Sequence, residues 1–128
     1  MAYLLDTNVA IHLRDGDPTI SAKVAALDDA ILLSIVTRVE LEGGVHRDAA
    51  DARTRRARLD TLLSAIPVLA FDAAAAEAYA AIVARAGYSR RKLLDRMIAA
   101  HALVHRATLV TMNADDFRDI AGIQMLVW

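Results

Sequence analysis

Ala2-Tyr3-Leu4-Leu5-Asp6-Thr7-Asn8 opens with a short apolar run that breaks abruptly into three polar residues. An apolar run of this length, closed by polar residues, reads as a buried strand whose C-terminal end delivers Asp6. Thr7 or Asn8 then caps a short helix through Val9, Ile11 and Leu13. The pattern recurs along the chain. Ala30 to Ile35 is apolar and β-branched enough for a second buried strand, with a helix start from Thr37 to Gly43 behind it. Thr108 to Met112 is a third such run, followed by the polar cluster Asn113-Ala114-Asp115-Asp116. Strands that alternate with helices predict an α/β/α sandwich around a mostly parallel central sheet. In such sheets ligands bind outside the carboxyl ends of the strands. Asp6 and Asn113 fall just after strand ends, and Glu40 lies a few residues beyond one.

The remaining segments fit the same plan. Asp15-Gly16-Asp17-Pro18 is a turn, and a helix from Thr19 to Leu27 follows it. Thr37 and Glu40 have capping-box spacing, and Gly43-Gly44 weakens or bends the helix they begin. Ala49 to Ala65 is an Arg-rich helix closed by Pro67, with a short strand from Val68 to Phe71. Asp72 caps an alanine-rich helix that runs to Arg85 and stops at Gly87. Leu93 to His105 is a further apolar helix, Asp116-Phe117 begins a helical turn, and Ile123 to Val127 forms a last, edge strand. With 128 residues and neither repeat nor linker, a single domain over 1–128 is expected.

Composition narrows the function classes. The chain is 56% hydrophobic, enough for a sizeable core, and has no cysteine, which excludes disulfides and thiolate metal sites. A net charge of −1 offers no global attraction for nucleic acid, so that case rests on local charge. No stretch reaches the roughly 18 apolar residues of a membrane span. The first residues lack a basic segment followed by a secretory apolar stretch, and Asp6 arrives early. The expectation is a soluble, cytoplasmic protein with no membrane association.

Asp6, Glu40 and Asp95 are far apart in sequence, yet each stands at the edge of a predicted core element, as does the cluster from Asn113 to Asp116. Gathered in one pocket, such carboxylates repel one another unless a cation sits between them. That points towards a magnesium- or manganese-dependent enzyme. Each residue also has a plainer role. Asp6 can cap a helix, Glu40 can complete the capping box with Thr37, and Asp95 can favour the dipole in the first turn of its helix. The 113–116 cluster can be a solvated turn. On the residues alone both readings stand.

Two basic patches stand out. Arg53, Arg55, Arg56 and Arg58 read as a solvated helix face. Arg90, Arg91 and Lys92 lie just before Asp95 and read either as a solvated loop or as candidates for holding the phosphate of a nucleic acid. His101 and His105 are four apart on a predicted helix, a zinc-pair spacing, but no third ligand lies nearby and the glutamate of a zinc-protease helix is missing.

Four segments together resemble the PIN-domain ribonucleases, specifically the VapC-type toxins of bacterial toxin–antitoxin pairs. They are Tyr3-Leu4-Leu5-Asp6-Thr7-Asn8, Leu33 to Gly43 with its Ser, Thr and Glu-Leu before Gly, Leu94 to Ala102 with Asp followed by Ile-Ala-Ala, and Leu109 to Phe117. Each is weakly specific alone; in this order and over nearly the whole chain they are strongly so. The resemblance implies a PIN-like fold and maps Asp6, Glu40 and Asp95 onto three acids that hold magnesium, with manganese as the other option. It makes Asp116 the fourth acid and Asn113, an amide where some relatives have an acid, an orienting group. Glu42 does not match the motif and points about 200° away from Glu40 on a helix. Asp6 and Asp95 would be direct ligands, and Glu40 would hold metal-bound water or a second ion and could act as base. Thr7, Asn8, Ser34 and Thr37 would fix the ligand rotamers by hydrogen bonds. The implied chemistry is attack of metal-activated water on RNA, and the implied partners are an antitoxin and a second copy of the chain. Such antitoxins pack a segment into an apolar groove and reach basic side chains towards the acids.

Two other functions remain open on sequence. A magnesium phosphatase or phosphotransfer domain would use Asp6 as nucleophile, but the haloacid-dehalogenase pattern needs a second Asp where Asn8 stands. A non-catalytic module would only sequester RNA or a partner.

Overall fold

Parallel pairing joins all five strands, β1 (Tyr3–Leu5), β2 (Ile31–Ser34), β3 (Val68–Leu69), β4 (Thr108–Thr111) and β5 (Met125–Val127), in the order β3-β2-β1-β4-β5. The structure is a computed structural model and describes residues 2–128. Among the described residues six helices connect the strands: α1 (Thr7–Arg14), α2 (Pro18–Ala25), α3 (Ile35–Val45), α4 (Ala52–Ala65), α5 (Ala73–Ala86) and α6 (Leu93–Val104). A 3-10 turn, Ala114–Phe117, leaves β4. No helix among the described residues is long and apolar enough to cross a membrane.

Strand side chains alternate between faces, so neighbours in a strand enter different cores. Leu4 and Leu109 pack with Ile82, Ile98, Ala99 and Ala102 on the α5–α6 side. Leu5, Leu33 and Val110 pack with Val9, Ile20, Leu41, Leu59 and Leu62 on the other. Both layers exclude water from the central strands, which is why those strands read as continuous apolar runs rather than alternating ones. The result is the α/β/α sandwich expected from sequence, with a sheet that is parallel throughout.

Strand order decides where a ligand can bind. From β1 the chain crosses to β2 and β3 on one side, while β4 and β5 lie on the other. The switch point therefore falls between β1 and β4, and the crevice opens at their carboxyl ends. Asp6 follows β1 there, and Asn113 lies just beyond the end of β4.

Local boundaries correct several expectations. Asp6, not Thr7 or Asn8, is the N-cap of α1. The Thr37–Glu40 capping box does not form. Helix α3 starts at Ile35, and Ser34 caps it by accepting from the Val36 N–H at 3.0 Å. An apolar, β-branched Ile35 reads as strand, but the hydroxyl one residue earlier turns the chain into helix. Gly43-Gly44 lies inside the last turn of α3, which ends only at Val45. Asp17 caps α2, whose first residue is Pro18. Helix α4 begins at Ala52, after Ala49, and β3 is two residues long and stops before Phe71. Asp72 and Gly87 bound α5 as expected; Gly87 sits at φ +89, which an L side chain rarely adopts.

Candidate active site

Asp6 is nearly buried, and both its oxygens are held. Oδ1 accepts the Thr7 N–H at 2.8 Å, and Oδ2 accepts the Thr111 hydroxyl at 2.8 Å. Thr111 is oriented in turn by accepting the Asn113 N–H at 2.9 Å. Burial pushes the Asp6 carboxyl above its ordinary value, the bonds from Thr111 and Thr7 oppose this, and the charge of Asp116 adds to the rise.

A second relay serves Glu40. Thr7 Oγ1 lies 2.8 Å from Glu40 Oε1 and 3.0 Å from Thr37 Oγ1. A carboxylate only accepts, so Thr7 donates to Glu40 and Thr37 donates to Thr7. One residue thus serves two acids, Asp6 through its backbone and Glu40 through its side chain.

Asp95 occupies the first turn of α6, where the helix dipole favours a negative charge. Its pKa is nevertheless raised to about 6. Burial is the largest cause, followed by the charges of Asp6, Asp116 and Glu40; Lys92 opposes them weakly. Asp95 therefore stands within electrostatic reach of all three other acids.

These groups share one cleft of about 640 Å³, lined by Asp6, Thr7, Asn8, Glu40, Asp95, Asn113 and Asp116. Arg14, Arg47 and Arg55 line it as well. The donors facing it are oxygens on carboxylates and amides, the set a hard divalent cation prefers. No three acidic, histidine or cysteine side chains among the described residues are close enough to clasp one ion directly. Magnesium retains several waters and needs only one or two direct carboxylates, so the donor set fits.

Other predicted residues lie elsewhere. Ser34 bonds to no acid. It lies 2.9 Å from His101 Nδ1, and His101 Nε2 lies 3.1 Å from the Ala70 carbonyl. The carbonyl only accepts, so Nε2 carries the proton and Ser34 donates to Nδ1. Burial lowers the His101 pKa, and both ring nitrogens are engaged. Glu42 pairs with Arg38 and Arg56 outside the cleft. Arg90, Arg91 and Lys92 do not line it. Lys92 pairs with Asp119 at 3.2 Å, whereas Arg90 and Arg91 are exposed without an ion pair among the described residues.

Sequence reasoning missed Thr111, Arg14 and Arg47, and it read Arg55, which lines the cleft, as part of a solvated helix face. For Thr111 a signal existed: a hydroxyl at a strand end, two residues before Asn113. For Arg14 and Arg47, isolated in sequence, there was none.

The sequence profile of the PIN domain matches residues 3–123. The chain belongs to the PIN-domain family. Similar proteins include Ribonuclease VapC2 of Rickettsia felis, 27% identical over 100% of this chain and 98% of that protein. The tRNA(fMet)-specific endonuclease VapC of Shigella flexneri is 29% identical, with the same coverage of 100% and 98%. Among solved structures, VapBC2 from Rickettsia felis bound to a promoter DNA fragment superposes with a TM-score of 0.87 at 25% identity, covering 100% of this chain and 99% of that one. DNA-bound VapBC from Salmonella typhimurium gives 0.86 at 28% identity, covering 100% and 98%. The PIN domain thus shares the fold of these VapC-type proteins over 98% or more of each of them.

Proposed function

We propose that this PIN domain is a metal-dependent endoribonuclease, the toxin of a toxin–antitoxin pair, which hydrolyses RNA phosphodiester bonds in the cytoplasm. The observation that carries the reading is the meeting of Asp6, Glu40, Asp95 and Asp116 in one cleft at the sheet's switch point. The names of the relatives support RNA as the substrate.

Asp6 and Asp95 would hold magnesium or manganese, with Glu40 beside them. Such an ion, when bound, supplies charge neutralisation at the phosphate and a lowered pKa for water. The chain's own residues do the positioning. Thr111 and the Thr7 N–H fix Asp6, and Thr7 and Thr37 fix Glu40. Asn113 and Asp116 close the rim of the cleft. Arg90 and Arg91 reach RNA phosphate from outside it. An antitoxin segment fits the apolar groove of about 400 Å³ lined by Leu13, Leu62, Ala65 and Ile66, which meets the cleft at Arg14.

The test is incubation of purified, partner-free protein with total cellular RNA in magnesium, in EDTA and as the Asp95→Asn variant. Discrete fragments that need both the metal and Asp95 are expected. Equal cleavage by Asp95→Asn would overturn the assignment.

A further inference from the structure

The cleft gathers Asp6, Glu40, Asp95 and Asp116 on one side and Arg14, Arg47 and Arg55 on the other, where Asp15 is the one carboxylate in the lining. Helix α1 is capped by Asp6 and ends at Arg14. At about 1.5 Å per residue, these two lie ~12 Å apart along the axis. Helix α3 carries Glu40 and ends at Val45, two residues before Arg47. Both helices thus lead from the acids to the arginines.

The side chains of Arg14 and Arg55 meet at Gly44, and Arg47 lines the same cleft three residues further on. Arg55 Nη1 donates to the Gly44 carbonyl at 2.9 Å, and the backbone N–H of Arg47 points to the same oxygen at 3.4 Å. A Cβ at Gly44 would stand 3.6 Å from Arg14 Nη1. Local structure accounts for part of this charge. Arg14 pairs with Asp15 at 3.0 Å, and Arg55 caps the end of α3 while standing 3.9 Å from Asp51. It does not account for Arg47, which is exposed and has no ion pair among the described residues. Nor does one bond to a neutral carbonyl use up the Arg55 fork, which has five N–H donors.

We propose that Arg14, Arg47 and Arg55 form a subsite for the RNA phosphates that flank the one at the acids, so that the strand lies along α1 and α3. The proposal rests on the ribonuclease reading for what happens at the acidic end. It gives the cleft a source of attraction that is independent of any cation, because the acids alone repel a phosphate chain. A single phosphate cannot reach both ends, so the substrate is a strand of several nucleotides.

Arg47 provides the cleanest test. It is exposed, so Arg47→Ala keeps the fold, and Arg53, exposed nearby but outside the cleft, is the control. Binding of a short single-stranded RNA is measured in EDTA across a range of salt concentrations, and cleavage kinetics are measured in magnesium. Arg47→Ala should flatten the log–log salt slope by about one. It should raise KM several-fold and leave kcat within about twofold, as loss of uniform binding does. Arg47→Lys should restore the slope, and Arg53→Ala should match wild type. If Arg47→Ala keeps the wild-type slope and KM, or Arg53→Ala loses as much, the subsite is wrong even though RNA is cut. If wild type cuts no RNA but binds it with an Arg47-dependent slope, the nuclease reading falls and the strand subsite stands.

Discussion

Asp95 shows how a site residue acts against stability. Its carboxyl titrates at about 6 in the folded chain against an ordinary value of 3.8, so the folded state binds this proton more tightly than the unfolded state does. The stability from that proton is complete below the unfolded value and is lost as pH rises through about 6. In EDTA at about pH 7, Asp95→Asn should therefore melt above wild type, by about 1 kcal/mol after allowing for solvent screening of a half-buried group. The gap should close as pH falls below the unfolded value. A variant less stable than wild type at neutral pH would contradict the charge crowding around Asp95. Thr111 works in the opposite sense, because it holds Asp6 by a buried bond of 2.8 Å. Thr111→Val keeps the shape and removes the donor. It should cost about 1–3 kcal/mol in a urea melt and lower the initial cleavage rate by about 10–100-fold. Thr111→Ser should recover most of both.

At the scale of elements, Ser34 is the joint. It ends β2, caps α3, and donates to His101 of α6. The helices carrying Glu40 and Asp95 are thereby tied to one strand end. Ser34→Ala leaves the Val36 N–H and His101 Nδ1 without partners, both in buried surroundings. The expected cost is about 1–3 kcal/mol in chemical denaturation. None of these bonds reaches an acid, so cleavage well below the melting temperature should fall less than in Thr111→Val. A larger rate loss in Ser34→Ala than in Thr111→Val would show that helix placement, not rotamer control, limits the site. Arg96 anchors the other end of α6. Its guanidinium bonds the Gly87 carbonyl and Asp119, fixing the turn that presents Arg90 and Arg91.

For the molecule as a whole, strand order makes the cleft. Four acids from the end of β1, α3, α6 and the turn after β4 meet because β1 and β4 pair although more than a hundred residues separate them. The folded chain keeps this crowding at a cost that a divalent cation should relieve. A cation that binds only the folded state stabilises it in proportion to the logarithm of its concentration, by ~2.7 kcal/mol at 100 times its Kd. Magnesium should therefore raise the Tm of wild type, EDTA should reverse the rise, and Asp95→Asn should show little of it. An equal rise in both proteins would place the ion elsewhere.

The sequence by itself determined the layers. Apolar runs broken by polar residues mark strands and helices, because burial and backbone hydrogen bonding are settled within a few neighbours. On that basis Asp6, Glu40 and Asp95 could each be placed at the edge of a core element, and the family motifs placed them in order. Only the tertiary structure decided which side chains meet. The sequence offered Glu40 a local partner in Thr37, yet the Glu40 carboxylate takes its bond from Thr7, thirty-three residues away. The dense arginines of α4 looked equivalent, but Arg55 faces the cleft while Arg56 pairs with Glu42 and Asp60. Arg14 gave no signal at all. Such partnerships depend on distances between elements distant in sequence, and a local pattern carries no record of them until the sheet closes.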